Sequence, residues 1–186
     1  MDRSLDMRPL ALTLNTLALY ALSGLLIAAF AMQFALNELP CPLCMLQRIF
    51  FCALAIGPIL NLRFGPRPSH YALSMLAALA GAAVSMRQIL LHILPGDPGY
   101  GSAIFGYHYY TWAFIGFAAA LILLALILLL DRQFDPSPPP PPAMAARIAV
   151  LLAIGLTAAN ILSTLAVCGF ASCPDNPVRY ELFQRR

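Results

Sequence analysis

The sequence predicts an all-α membrane protein: a four-helix transmembrane bundle plus a fifth transmembrane helix after a proline-rich linker. Three observations carry this. Of 186 residues, 61% are hydrophobic and only 10% charged, and the mean hydropathy is +0.79. No soluble domain of this size needs so much apolar sequence. Five segments approach the ~20 apolar residues that span a bilayer. None alternates as a barrel strand would, and a lipid-facing backbone must satisfy its own hydrogen bonds, so all five should be helices.

The first segment covers residues 10–36. It is too long for a secretory signal peptide and lacks a small-residue cleavage site. The second covers 42–62, the third 71–94 and the fourth 109–130. The fifth, 148–167, follows Pro136, Ser137 and Pro138 through Pro142. That run should form an extended spacer of about 3 Å per residue. The chain therefore divides into a bundle (1–131), a linker (132–147), and a fifth helix with its tail (148–186).

The chain has no Lys, and its formal charge is only +3. Its arginines sit mostly at segment ends, which marks topology rather than a nucleic-acid surface. Arg3 and Arg8 precede the first segment. Arg63 and Arg67 separate the second and third, and Arg132 and Arg147 bracket the linker. With these three regions cytoplasmic, the N-terminus is cytoplasmic. The opposite face receives residues 37–41, the loop 95–108 and the tail from Cys168. Arg179, Arg185 and Arg186 on that tail run against the rule. The expected location is a bacterial inner membrane, crossed several times.

Five spans also put Cys168 and Cys173 on the same side as Cys41 and Cys44. In a bacterium-like cell that side is the oxidising periplasm, where close pairs persist as disulfides. Four cysteines also match a zinc ligand count, but an oxidising compartment favours disulfides, so no metal site is expected. Cys52, inside the second segment, reads as a small buried apolar residue.

Cys41-Pro42-Leu43-Cys44, with Arg48 one turn later, is the chemically informative stretch. The spacing brings both sulfurs onto one helix face. A helix N-terminus and a nearby cation both stabilise a thiolate, the attacking form. An isolated arginine at this depth would read as snorkelling to the headgroups. Beside Cys-x-x-Cys it reads as part of a site. Gln88 and His92, spaced i, i+4 near the end of the third segment, with Arg87 adjacent, are polar groups where polarity is costly. They are either a ligand-binding cluster or an interfacial one. Tyr100, Tyr107, Tyr109, Tyr110 and Trp112 read as an aromatic belt.

Pro40-Cys41-Pro42-Leu43-Cys44-Met45-Leu46-Gln47-Arg48 resembles the first periplasmic motif of the disulfide-bond formation protein B (DsbB) family. Phe105-Gly106-Tyr107 with Trp112, and the stretch from Arg87-Gln88 to Pro95, resemble it more weakly. The resemblance covers roughly residues 10–131. It implies an enzyme that passes electrons from a periplasmic thioredoxin-fold thiol oxidase of the DsbA type to a membrane quinone, ubiquinone or menaquinone. It makes Cys41–Cys44 the pair beside the quinone and Arg48 the quinone-side arginine. Gln88, His92 and Arg87 are the further candidates for holding the quinone.

One departure matters. Family members usually carry a second cysteine pair between the third and fourth helices, and residues 95–108 contain none. The tail pair Cys168 and Cys173 is expected to replace it as a relay by thiol–disulfide exchange. The competing reading is a structural disulfide closing a small loop. For the whole chain, the thiol oxidase competes with a membrane thiol reductant running the other way. It also competes with a non-enzymatic membrane subunit or assembly factor held by structural disulfides.

Overall fold

The computed structural model describes residues 7–134 and 140–184. Arg3, Arg185, Arg186 and spacer residues 136–139 lie outside them. The described spacer residues Pro140, Pro141 and Pro142 are exposed and irregular. Among the described residues, five spans are long and apolar enough to cross a membrane. The chain is an all-α membrane protein, and the only strands among the described residues are the two short ones of a single ribbon.

Helix α1 runs Arg8–Ala35, with Pro9 in its first turn, where a missing N–H costs nothing. Asn37 then turns the chain at φ 54°, a conformation asparagine tolerates. The second span is α2 (Pro42–Leu54) followed directly by α3 (Ile56–Phe64). Pro58 explains the break. Lacking an N–H, it leaves the Leu54 carbonyl without its helical donor. Ser74 Oγ, on the next span, donates to that carbonyl at 2.8 Å. Helix α4 runs Pro68–Leu91, with Pro68 again opening a helix.

The loop after α4 carries the ribbon, β1 (Ala103–Ile104) paired antiparallel with β2 (Tyr107–His108). Phe105 and Gly106 both take positive φ, 51° and 82°. That is the two-residue turn whose twist matches the strands. Helix α5 (Tyr109–Leu128) follows, then a 3-10 turn at Asp131–Gln133. Helix α6 (Met144–Cys168) starts four residues earlier than hydropathy indicated. Arg147 interrupts the apolar run without breaking the helix, its Nε donating to the Pro142 carbonyl at 3.2 Å.

Helix α4 is the hub and packs on α2, α3 and α5. It presents Ser74, Ala78, Gly81 and Ser85, all buried. Apolar area drives no association in lipid, so close backbone approach does, and small residues permit it. At Gly81 a Cβ would sit 2.3 Å from Phe117 Cζ of α5. Phe117 stacks in turn on Phe51 of α2, centroids 4.0 Å apart. Helix α6 packs on α1, with Ala149 and Ala153 in the main core. Leu17, Leu25, Leu123, Leu151 and Leu162 face outward.

The bundle has two distinct ends. Arg8, Arg63, Arg67, Arg132 and Arg147 mark the basic end. A buried polar network closes it. Asn15 Nδ2 donates to Tyr71 Oη (2.9 Å), and Tyr71 Oη to Gln133 Oε1 (2.7 Å). Asn61 Nδ2 donates to Asn15 Oδ1 (2.9 Å). These bonds tie α1, α3, α4 and the turn after α5 together. Residue spacing along one helix does not reveal them. The four paired cysteines lie at the other end.

Candidate redox site

Cys41 is the N-cap of α2, and its sulfur accepts from Cys44 N–H at 3.1 Å. Pro42 at N1 leaves that first turn pre-organised. Cys41 and Cys44 are joined as a disulfide with Cα atoms 5.0 Å apart. The positive end of the α2 dipole thus points at Cys41 Sγ, the arrangement that stabilises negative charge there. Cys41 is buried and Cys44 half-buried.

Gln88 of α4, 1% exposed, lies against the pair. Its Nε2 is 3.3 Å from Cys41 Sγ and 3.5 Å from Cys44 Sγ. Its Oε1 accepts from Gln47 Nε2 at 2.9 Å, so its N–H groups are turned to sulfur. Gln47 belongs to the Cys-x-x-Cys motif stretch, and its pairing with Gln88 across helices is one that spacing along α2 does not reveal.

A cavity of about 410 Å³ opens between α1, α2, α5 and the ribbon loop. Its walls are mostly apolar, among them Leu26, Met32, Phe51 and Trp112. Cys44, Gln47 and Arg48 supply polar atoms from α2, and Glu38, Tyr100 and Tyr109 supply others at the loop side. Arg48 Nη1 donates to Gln33 Oε1 (2.7 Å) and Nη2 to the Ala29 carbonyl (2.8 Å). Its guanidinium also lies 5.3 Å from the Phe30 ring. Gln33 was not picked out. Its signal was present: it is the sole polar residue of α1 after Ser23–Gly24, where polarity is expensive.

The other polar candidates sit elsewhere. His92 caps α4, its Nδ1 2.9 Å from Asp97 Oδ1. The Asp97 carboxyl is held below the usual carboxylate range by the Gly99 N–H and by His92. Arg87 lies on a separate surface groove with Ala83, Met86, Leu90 and Leu91. None of Gln88, His92 and Arg87 lines the cavity. The aromatic residues divide. Tyr100, Tyr109 and Trp112 form cavity wall instead of a belt. Tyr110 is buried, stacked on His92 and His108. Tyr100 Oη donates to the Leu39 carbonyl (2.7 Å), and Glu38 accepts from Ser102, fastening the loop over the α1–α2 turn.

Cys168 and Cys173 form the second disulfide, Cα atoms 4.5 Å apart. Cys168 closes α6 and packs with Leu39, Met45 and Val167 in a small apolar cluster at the cysteine end. Its Sγ is 3.4 Å from Met45 Sδ, and Met45 is one turn from Cys41. Cys173 is the less buried partner. Both pairs therefore meet at the N-terminal turn of α2.

The family described as disulfide bond formation protein DsbB matches residues 11–100, which contain α1 to α4, the Cys41–Cys44 pair and Arg48. Over residues 11–100 the chain is thus similar to the DsbB family. The disulfide bond formation protein B of Xanthomonas axonopodis pv. citri is 38% identical over 86 residues, 44% of this chain and 50% of that protein. Its counterpart from Marinobacter nauticus is 40% identical over 79 residues, 40% of this chain and 47% of the relative. That from Chromobacterium violaceum is 41% identical over 81 residues, 41% and 49% respectively. The chain spans about half the length of the curated relatives it matches. No solved structure matches it. Helices α5 and α6 and the tail lie beyond the DsbB match.

Proposed function

We propose that this protein is a quinone-coupled thiol oxidase. It would generate disulfides, reoxidise a periplasmic DsbA-type thioredoxin-fold protein and pass the electrons to ubiquinone or menaquinone. The observation that carries this is the Cys41–Cys44 disulfide opening, through Cys44, onto an apolar cavity that holds the Arg48 guanidinium. The residues fit a quinone. Its ring oxygens need hydrogen-bond donors at one edge of a mostly apolar space, and Arg48 and Gln47 supply donors there. Bound quinone would supply the two-electron acceptor.

The chain's own residues do the rest. The donor thiolate attacks Cys173, the more accessible sulfur, forming a mixed disulfide and releasing Cys168 as thiolate. The donor's second thiol then releases Cys173 and leaves the donor oxidised. Cys168, on the side facing α2, attacks the Cys41–Cys44 disulfide, and Cys173 resolves that mixed disulfide. The tail pair is reoxidised and Cys41 and Cys44 are left as dithiol. Gln88 and the α2 N-terminus hold negative charge on these sulfurs. Arg48 places positive charge where reduction of a cavity ligand develops negative charge. On this reading the N-terminus is cytoplasmic, both pairs are periplasmic, and the fifth span with its tail (148–186) is the electron-entry unit added to the bundle (1–131) through the linker (132–147), whose last residues already belong to α6.

Purified protein tests it, given a reduced thioredoxin-fold donor and a soluble ubiquinone analogue, with quinone absorbance followed. Wild type should reduce quinone, whereas Cys44→Ser and Cys168→Ser should not sustain turnover with the protein donor. A small dithiol should bypass Cys168→Ser but not Cys44→Ser. Turnover unaffected by either substitution would leave both disulfides structural, in a non-enzymatic subunit or assembly factor.

A further inference from the structure

One amide joins three parts of the chain. Gln33 of α1 is 1% exposed. Its Oε1 accepts from Arg48 Nη1 at 2.7 Å. Its Nε2 donates to Ser163 Oγ of α6 at 3.0 Å and to Tyr180 Oη of the tail at 3.3 Å. Among the described residues no carboxylate is within ion-pair distance of Arg48. Its guanidinium is therefore held only by neutral acceptors and by the Phe30 ring. The charge is oriented without being neutralised.

A primary amide has two unlike ends. Gln33 can present oxygen to a cation only if its NH2 group has acceptors on the other side. Otherwise a buried donor is stranded, a cost comparable to the bond gained. Tyr180 Oη is the acceptor found at the NH2 end alone, whereas Ser163 Oγ lies within reach of both ends, 3.0 Å from Nε2 and 3.2 Å from Oε1. Both belong to the C-terminal region beyond the DsbB match.

We infer that the C-terminal segment completes the cavity as well as supplying cysteines: Tyr180 orients the Gln33 amide, with Ser163 bonded beside it, and Gln33 positions Arg48. Gln33 and Tyr180 are positioning residues, acting on a cavity ligand only through the guanidinium. The inference rests on the quinone reading for the identity of that ligand, but not for the positioning itself.

Two measurements on full-length protein in detergent separate the two. The first is the rate at which phenylglyoxal modifies Arg48, followed by peptide mass spectrometry, and it needs no ligand. Modification should be about tenfold faster in Gln33→Met and about threefold faster in Tyr180→Phe, the scale of one or part of one charge-assisted bond. Exposed Arg179→Gln serves as the control and should change neither readout. The second uses Trp112, the only tryptophan, which lines the cavity. Its quenching by a short-tail ubiquinone analogue reports affinity. Kd should rise about tenfold in Gln33→Met, equivalent to 1.4 kcal/mol, and about threefold in Tyr180→Phe. In an Arg48→Met background the same substitutions should add nothing. Unchanged modification of Arg48 in both variants overturns the inference, as does an affinity loss that persists without Arg48. Quinone that fails to bind wild type, with Arg48 modification still accelerated in the variants, defeats the quinone reading and leaves the positioning intact. Tyr180→Phe removes one oxygen from a half-exposed side chain, so it keeps the test valid should Gln33→Met fail to fold.

Discussion

Replacing Gln88 with Met should make Cys41–Cys44 a weaker oxidant. The Gln88 Nε2 lies 3.3 and 3.5 Å from the two sulfurs, in a site where the side chain is 1% exposed. Upon reduction a sulfur there carries negative charge beside the α2 N-terminus. A hydrogen bond to a charged acceptor is worth about 1.5–3 kcal/mol and to a neutral one about 0.5–1.5 kcal/mol. The difference, about 1–1.5 kcal/mol, favours the reduced form while Gln88 is present. In a two-electron couple 1.4 kcal/mol corresponds to about 30 mV, so Met should lower the potential by roughly 20–30 mV. Gln47 Nε2 also loses its acceptor, at 2.9 Å in the native protein. That costs about 1–3 kcal/mol of stability. It falls on both redox states alike, so it lowers the unfolding midpoint without moving the potential. The assay is a titration in dithiothreitol redox buffers, scored by thiol alkylation. A Cys168→Ser, Cys173→Ser background leaves one pair to titrate. An unchanged potential, or one shifted positive, would refute the reasoning and leave the Gln88 amide a packing feature.

Three further outcomes are expected. Arg48→Met should lower kcat for quinone reduction about 100-fold, the cost of losing one preorganised donor at developing charge; Arg48→Lys, which keeps charge but not the two-acceptor fork, should fall between, and a wild-type rate for Arg48→Met would remove it from the chemistry. Gly81→Ala should cost about 1–3 kcal/mol by overpacking, because its Cβ would meet the Phe117 ring 2.3 Å away; Phe117→Leu in the same chain should recover part of the thermal midpoint, and no loss in Gly81→Ala alone would mean the ring yields freely. The Asp97 carboxyl is held below its ordinary value by the Gly99 N–H and then His92. The stability it lends the loop is therefore present above about pH 4 and lost as pH falls through the lower folded value. Trp112 fluorescence, tied to the loop by its Nε1 bond to the Ile104 carbonyl, should show an acid transition that Asp97→Asn abolishes.

Much of this architecture was legible in the residues. The five spans emerge from apolar length alone, since the bilayer admits little else. Their ends moved by only a few residues, because Pro68 opens α4 early and Arg147 does not stop α6. The Cys-x-x-Cys to Arg48 spacing placed sulfurs and cation on neighbouring turns of one helix, and Gln88 stood out as a costly polar group. Gln88, His92 and Arg87 all lie off the cavity wall, and of the three only Gln88 touches the sulfurs. Helical spacing says which residues share a face, not which neighbour that face meets. Tyr100, Tyr109 and Trp112 looked like a belt for the same reason: a ring near a span's end suits lipid or a cavity wall equally.

Sequence by itself determined the class, the helices and the placing of Cys41, Cys44 and Arg48 on neighbouring turns, each a consequence of local composition and of a 3.6-residue repeat. Only the folded chain decided that Gln33, bonded to Arg48, also meets Ser163 and Tyr180, 130 and 147 residues further along the sequence. It likewise decided that Cys168 packs on Met45, and that Asn15, Asn61, Tyr71 and Gln133 bond at the basic end. Such contacts depend on how small residues let α4 and α6 approach their neighbours. That approach is set by three-dimensional packing, which no linear periodicity encodes.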